Sequence, residues 1–301
     1  MGLPTKIGPG KSAYALYEGI EYQDFWRPDD RSRLDELERA VVSELLPPSG
    51  SRIIDLGCGY GRLADCYSGK FRQIVMFDAS LSLLQQACER MNGKAWFIAG
   101  DIDHLPFRKC SFDQVLMVRV FHHMPDSKAC LLEIGRVLGK DGSFVFSYSN
   151  KRNIARIMAY LLGRDHHNPY SLETEGIGTT LIRHHPRMVA DLLRETGFRD
   201  IQYRGVGIFD KIPGAGGLLD MWAAGGKLFA PILGSSKIAP WILCKGHHPG
   251  NNGLIDTDQL TDLLQCPSCG SSMTEEPSAY VCLGCREKYP IRDQIIDLRP
   301  K

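Results

Sequence analysis

The feature that most constrains the fold is a short apolar run that leads into a loop with glycine at every second position. The run reads Ile53-Ile54-Asp55-Leu56-Gly57-Cys58-Gly59-Tyr60-Gly61. A short apolar run bounded by glycines predicts a buried strand, and the glycines let the backbone turn sharply and approach a ligand closely. The free N–H groups at the start of the next helix favour an anion. The pattern therefore predicts a strand, loop and helix that can cradle a small ligand bearing a carboxylate or phosphate.

A second predicted strand, Arg72 to Phe77, ends at Asp78. An acidic residue at this place can accept hydrogen bonds from both hydroxyls of a ribose. The alternative role of Asp78 is a helix N-cap, because the segment from Ala79 onward is predicted to be helical. The dinucleotide-binding fingerprint has a third glycine where this chain has Arg62, which disfavours a nicotinamide-dinucleotide site.

Two further predicted strands end at polar residues. The third strand, 95–99, leads to Asp101, which could accept a hydrogen bond from an exocyclic amine, and to Ile102, which could lie against an adenine face. The fourth strand, 112–118, ends at Arg119. Each motif alone is also compatible with plain packing of strands and helices, but their order along the chain favours a binding site.

The ordered motifs are DLGCGYG, FDAS, GDIDHLPF, SFDQVLMVRVFHHMPD and LLEIGRVLGKDGSFVFS. Over roughly residues 50 to 150 the chain resembles the class I S-adenosylmethionine-dependent methyltransferases. Within them it is most similar to the group that includes the ubiquinone and menaquinone C-methyltransferases and the tRNA wobble-uridine methyltransferases. The resemblance is specific for fold and cofactor, and it says little about the methyl acceptor.

The resemblance also implies roles for individual residues. The glycine loop would contact the methionine part of the cofactor, Asp78 the ribose, and Asp101 and Ile102 the adenine. Arg119 would lie at the sulfonium, where the family usually has a small or neutral residue. A cation beside a sulfonium is unfavourable unless a carboxylate pairs with it, so the alternative is that Arg119 points elsewhere. The residues expected to bind the cofactor are Asp55, Gly57, Cys58, Gly59, Asp78, Ala79, Asp101, Ile102 and Arg119.

No catalytic residue is predicted. Methyl transfer depends mainly on alignment of donor and acceptor and on exclusion of water. A base is needed only for acceptors that must lose a proton, and His122 or His123, just beyond the fourth strand, could serve as one. The commoner role of such a histidine is packing at the edge of the sheet.

Two CxxC pairs lie near the C-terminus, Cys266 with Cys269 and Cys282 with Cys285. This spacing predicts a four-thiolate zinc ribbon. So short a segment cannot bury enough core to fold alone, so a metal would supply much of its stability. The alternatives are free thiols, two disulfides or a redox dithiol, and paired knuckles in an intracellular chain disfavour them.

The sequence that follows, Tyr289-Pro-Ile-Arg-Asp-Gln-Ile-Ile296, resembles the end of the small zinc-ribbon proteins that activate tRNA, rRNA and release-factor methyltransferases. Gln294 stands where that family has a glycine, and Ile296 where it has a proline. The resemblance covers roughly residues 260 to 301. It implies that the ribbon docks on its own methyltransferase domain and stabilises it in cis.

The predicted fold class is α/β, with a seven-stranded Rossmann-like sheet covered by helices on both faces and a small C-terminal zinc ribbon. The predicted units are an N-terminal aromatic and helical segment (1–48), a class I methyltransferase domain (49–250) and the ribbon (251–301). The domain carries an insertion at 207–239, which could be a lid over the acceptor, a membrane-surface patch or a docking surface for the ribbon. The N-terminal aromatic residues, which could cover the cofactor or pack on the sheet, are Tyr14, Tyr17, Tyr22, Phe25 and Trp26.

Charge constrains the partners. The formal net charge is +1, and residues 251–301 contain five cations and eight anions. This balance disfavours nucleic acid and favours a small-molecule or lipid-like acceptor. Because there is neither a signal peptide nor an apolar stretch long enough to span a membrane, we expect a cytoplasmic location.

Three functions remain open at this stage. The favoured one is a methyltransferase acting on a small or lipid-like metabolite such as a quinone or polyketide-type acceptor. The second is a tRNA or protein methyltransferase with its activator ribbon fused in cis. The third, of a different class, is a non-catalytic cofactor-binding scaffold.

Overall fold

The computed structural model describes residues 26, 29–177, 181–207, 237–250 and 252–300. The helices of these residues are α1 (Asp29–Leu45), α2 (Ala64–Tyr67), α3 (Leu81–Met91), α4 (Ser127–Val137), α5 (Ile154–Leu161), α6 (Pro186–Glu195) and α7 (Leu260–Leu263). The strands are β1 (Gly50–Leu56), β2 (Phe71–Asp78), β3 (Trp96–Ala99), β4 (Phe112–Met117), β5 (Leu138–Ser149), β6 (Glu175–Ile177), β7 (Leu181–Arg183), β8 (Arg199–Val206), β9 (Trp241–His248), β10 (Met273–Glu276), β11 (Ala279–Cys282), β12 (Lys288–Arg292) and β13 (Ile295–Asp297).

Seven strands form the central part of one sheet in the order β3-β2-β1-β4-β5-β9-β8. The strands from β3 to β5 are parallel, whereas β9 runs antiparallel to both β5 and β8. The strand order reverses at β1, which lies between β2 and β4. In sheets of this kind, ligands bind in the crevice beyond the carboxyl ends of the strands at such a switch point.

The whole sheet has eleven strands, so the prediction of a seven-stranded sheet is wrong in number. The four additional strands, β10 to β13, come from the C-terminal segment and continue the sheet beyond β3. Strand β13 pairs in parallel with β3, with Ile295 opposite Phe97 and Ile296 opposite Ile98. Pairing of this kind covers the N–H and C=O groups that an edge strand would otherwise expose.

The turn between β12 and β13 explains how this segment reverses without a glycine. Asp293 and Gln294 both have left-handed backbone conformations, with φ of 48° and 66°. A two-residue turn with positive φ at both positions matches the twist of a hairpin. Gln294 therefore adopts a left-handed conformation at the position where the expected ribbon sequence has glycine.

The C-terminal segment also shares the hydrophobic core of the sheet. Leu263, Tyr280 and Leu298 belong to the same buried cluster as Phe77 and Phe146. The C-terminal segment and the central sheet therefore bury apolar surface against each other, and this burial stabilises both.

The buried side chain of Arg52 adds a polar link between the two parts. Its guanidinium donates to the carbonyl oxygens of Ser111 and Thr257, each at 2.6 Å. This side chain, 1% exposed, therefore joins the loop before β4 to the segment before α7.

The helical part of the predicted N-terminal segment is present as α1. Most of the insertion, 208–236, and the aromatic residues Tyr14, Tyr17, Tyr22 and Phe25 lie outside the described residues. Among the described helices, none combines the length and apolar character that crossing a bilayer requires.

Candidate active site

The glycine loop after β1 has the conformation that its sequence predicts. Gly57 and Gly59 have φ of 69° and 54°, in the left-handed region that favours glycine. A Cβ on Gly57 would overlap the side chain of Val120. The N–H groups of Gly57 and Cys58 both donate to the carbonyl of Phe77, at 2.8 and 3.2 Å, so the loop is fastened to the end of β2.

The carboxylate of Asp78 joins this loop to the start of α3. One oxygen accepts from the N–H of Gly59 at 2.8 Å, and the other accepts from the N–H of Ser80 at 2.9 Å. The N-cap of α3 is Ser80, whose hydroxyl accepts from the N–H of Leu83. The capping role considered for Asp78 therefore belongs to Ser80, and Asp78 lies at the carboxyl end of β2 facing the loop.

One open cavity lies at this edge of the sheet. It has about 960 Å³ of space, its mouth included, which is within the usual range for small-molecule sites. Eight of the nine residues expected to bind the cofactor line it: Asp55, Gly57, Cys58, Gly59, Asp78, Ala79, Ile102 and Arg119.

The ninth expected residue, Asp101, lies outside the cavity lining. Its side chain accepts from the N–H of Asp103 at 2.9 Å and caps the short 3-10 helix Ile102–His104. This cap fixes the backbone that holds the buried Ile102 side chain against the cavity. In this geometry the side chain of Asp101 stabilises the backbone of residues 102–104 and does not line the cavity.

The carboxyl group of Asp55 forms part of the inner wall. It is 2% exposed and accepts from the hydroxyl of Tyr67 at 2.8 Å. Burial raises the pKa of Asp55 to about 7, although the hydrogen bond from Tyr67 acts in the opposite direction.

A buried ion-pair cluster borders the cavity. Glu38, from α1, accepts from Arg119 Nε at 2.8 Å and from Arg62 Nη2 at 2.6 Å, and Arg62 also pairs with Asp35. Glu38 is fully buried. Burial alone would raise its pKa, but the two guanidinium groups, Arg119 and Arg62, hold it below its usual value.

This cluster gives Arg119 a carboxylate partner, Glu38, which the sequence did not identify. No local pattern links Glu38 to Arg119, since 81 residues separate them. The only signal was the chemical need to offset a cation beside a sulfonium.

Aromatic rings enclose the same guanidinium groups. The Arg119 guanidinium carbon lies 3.7 Å from the centre of the Trp241 ring, and that of Arg62 lies 4.2 Å from the centre of the Trp26 ring. These distances are suited to cation–π attraction. Arg119 has a left-handed backbone, with φ of 64°, and its N–H donates to Ser147 Oγ at 2.8 Å.

The histidines do not converge on the cavity as a group. His123 lines it. His122 is buried beside Trp241, and burial holds its pKa well below the ordinary value. His184 packs against Phe121, and burial lowers its pKa to about 4. Both buried rings are therefore neutral at neutral pH.

The four cysteines of the CxxC pairs come together in the C-terminal segment. Their sulfur atoms all lie within 4.8 Å of one another. The Cys266–Cys285 and Cys269–Cys282 sulfur distances are 3.7 and 3.4 Å. Zinc–sulfur bonds of about 2.3 Å in a tetrahedron require sulfur separations of roughly 3.8 Å. The donor set and its spacing therefore fit one tetrahedral zinc ion.

Comparison with known proteins identifies the domain. Residues 54–146 match the methyltransferase domain family. The 27-O-demethylrifamycin SV methyltransferase of Amycolatopsis mediterranei is 29% identical over 46% of this chain and 56% of its own length. The ubiquinone/menaquinone biosynthesis C-methyltransferase of Desulfotalea psychrophila is 27% identical over 55% of this chain and 73% of its own length. The chain thus spans between about half and three quarters of the length of these relatives.

Solved structures share the fold. A chain from the complex between the Haloferax volcanii Trm112 methyltransferase activator and the putative methyltransferase has a TM-score of 0.54 at 18% identity, covering 80% of this chain and 99% of that one. Magnesium protoporphyrin IX methyltransferase from Synechocystis, with bound S-adenosylhomocysteine, has a TM-score of 0.52 at 13% identity, covering 78% and 97%. The chain therefore contains a class I methyltransferase domain, and this domain and the relatives named methyltransferases point to an S-adenosylmethionine-dependent methyltransferase.

Proposed function

We propose that the protein transfers a methyl group from S-adenosylmethionine to a small or lipid-like acceptor. The observation that carries the proposal is the cavity at the switch point of the sheet, where Asp78 faces the glycine loop. In this assignment Gly57 to Gly59 hold the methionine part, Asp78 the ribose and Ile102 the adenine. Asp101 caps the short helix Ile102–His104, here called the adenine loop, and would accept a hydrogen bond from the exocyclic amine.

The chemistry follows from these positions. When bound, the cofactor supplies a methyl group that its sulfonium makes electrophilic, and a lone pair of the acceptor forms the new bond while the carbon–sulfur pair returns to sulfur. The protein aligns the two molecules and excludes water. Glu38 offsets the charge of Arg119, so the cavity tolerates a cation close to the sulfonium.

An exposed apolar surface supports a lipid-like acceptor. Helix α5 begins shortly after the carboxyl end of β5, the edge at which the cavity lies, and it has no buried residue. Its exposed side chains include Met158 and Leu161, which are 48% and 65% exposed, with Leu162 next to them. Apolar surface of this kind often marks a partner or membrane site. The quinone methyltransferase among the relatives agrees with this acceptor class.

We further propose that Cys266, Cys269, Cys282 and Cys285 hold one structural zinc ion. The segment 251–301 would then be a ribbon that supports the methyltransferase domain (49–250) in cis. Strand β13 supports this role, because the N–H of Leu298 donates to the carbonyl of Ala99 at 2.7 Å, directly before the adenine loop. Four clustered thiols are also compatible with the cytoplasm, which we propose as the location.

A tRNA or protein methyltransferase is the second candidate. The observation that favours it is the likeness to the Haloferax complex, which contains a methyltransferase activator. Transfer of radiolabelled methyl groups into separated lipid, small-molecule, RNA and protein fractions distinguishes the acceptor classes. Label confined to RNA or protein would contradict the proposed acceptor.

Calorimetric titration of S-adenosylmethionine and S-adenosylhomocysteine into protein with quantified zinc tests the cofactor site. We expect micromolar dissociation constants, about −8 kcal/mol, and a loss of at least tenfold in Asp78→Ala. Asp191→Ala, on the exposed face of α6, is the matched control and should bind like the wild type. Lack of binding by folded, zinc-loaded wild-type protein would leave the non-catalytic scaffold as the better account.

A further inference from the structure

One edge of the Arg119 guanidinium donates no hydrogen bond to any of the described residues. Its Nε donates to Glu38, and its central carbon lies 3.7 Å from the centre of the Trp241 ring. Its Nη2 atom is buried and has no hydrogen-bond partner among the described residues, and its side chain is only 10% exposed. Burying a charged donor without a partner is costly. In native proteins such a group calls for an explanation.

The guanidinium of Arg119 lies beside the start of β9. Asp78 ends β2, which lies beyond β1 on one side of β4. Trp241 begins β9, which lies beyond β5 on the other side of β4. Since Arg119 follows β4 and its guanidinium carbon lies 3.7 Å from the centre of the Trp241 ring, the guanidinium lies toward β9. His123, four residues further along the chain, lines the same cavity.

The chemistry of the edge selects its ligand. The two cations Arg62 and Arg119 already balance the two carboxylates Glu38 and Asp35, so the cluster is neutral without a ligand. An unpaired guanidinium N–H can only donate, and it forms its strongest hydrogen bonds with anionic oxygens. The Trp241 face beside it keeps the guanidinium partly desolvated, which strengthens such a bond.

We propose that Arg119 is a specificity-determining residue that anchors a carboxylate of the methyl acceptor through its unused edge. The acceptor is thus an apolar molecule that carries a carboxylate. This inference rests on the proposed function, since it names the acceptor class of the same cavity. The carboxylate of the cofactor's own methionine is the competing ligand for this edge, and the test below separates the two.

The test measures binding of hexanoate and decanoate, and of hexanamide and decanamide, by calorimetry with and without S-adenosylhomocysteine. We expect wild-type protein to bind at least one carboxylate about tenfold more tightly than its amide, or about 1.4 kcal/mol. In Arg119→Gln this preference should fall to about one. Arg204→Gln, which removes a surface partner of Glu44, is the matched control and should keep the preference.

The outcomes that overturn the inference are separate from failure of the proposed function. Equal binding of both carboxylates and their amides by wild-type protein, or no binding of either carboxylate, overturns it. A preference that persists in Arg119→Gln also overturns it. A tenfold loss of S-adenosylhomocysteine affinity with an unchanged preference would assign Arg119 to the cofactor.

Two controls keep the test decisive. If Arg119→Gln does not fold, Arg119→Lys replaces it and should keep only part of the preference, because a point charge lacks the planar edge. If wild-type protein binds no S-adenosylhomocysteine, the proposed function fails. The titrations without it still show whether Arg119 selects a carboxylate.

Discussion

Replacement of Glu38 by glutamine should destabilise the protein far more than its small change in shape suggests. The Glu38 carboxylate is fully buried and holds the guanidinium groups of Arg62 and Arg119, whose side chains are 9% and 10% exposed. Removing one partner of a buried ion pair costs about 3–5 kcal/mol, because it leaves charge without compensation. Since glutamine keeps one acceptor oxygen, we expect a loss near the lower end, about 3 kcal/mol.

The matched control lies on the same helix. Glu44 of α1 pairs with Arg204 at 2.7 Å, but its side chain is 52% exposed. Exposed pairs contribute about 0.2–1 kcal/mol, because water screens them. Glu44→Gln should therefore lower the free energy of unfolding by less than about 1 kcal/mol, and urea denaturation of the two variants under identical conditions measures the difference.

The pH dependence gives a second readout. The pKa of Glu38 is lower in the folded protein than its ordinary value of 4.5, so the folded state binds this proton less tightly than the unfolded chain. Its stabilising contribution is present above pH 4.5 and is lost as the pH falls through the folded pKa. A Glu38→Gln variant within 1 kcal/mol of Glu44→Gln at pH 7 would refute the reasoning that the cluster is a desolvated ion pair.

Three further predictions concern separate parts of the molecule. Asp55→Asn should gain thermal stability relative to wild type as the pH rises from 5 to about 7 without ligand and should gain little more above it, because burial raises the folded pKa from 3.8 to about 7 and between these values only the folded state keeps the proton; a constant difference from pH 5 to 7 would contradict it. Removal of zinc by a chelator should lower the melting temperature and release about one zinc ion per chain in a colorimetric assay, and Cys282→Ser should also lower the melting temperature; full stability without metal would count against the zinc site. Leu298→Ala should cost about 2–5 kcal/mol, because its buried side chain lies where β13 meets β3, and it should weaken cofactor binding more than Leu283→Ala, whose side chain is 50% exposed.

Local sequence patterns were sufficient for the parts of the site that one segment builds. The apolar run and its glycines predicted β1 and a loop with left-handed backbone, because only glycine adopts that conformation without strain. Asp78 was predicted at a strand end by its position in one short motif. The spacing of the cysteines likewise predicted a four-thiolate cluster, since each CxxC pair brings two sulfur atoms together locally.

Contacts between distant segments were decided only by the tertiary structure. The sequence left open whether Arg119 has a carboxylate partner, because Glu38 lies 81 residues away on a helix whose own pattern gives no sign of the pairing. The predicted number of strands in the sheet was wrong for the same reason. The pairing of Ile296 with Ile98 joins two segments that are far apart in the sequence, and no local pattern indicates it. Periodicity and spacing report what neighbouring residues do together, whereas burial of charge and completion of a sheet edge depend on which surfaces the folded chain brings into contact.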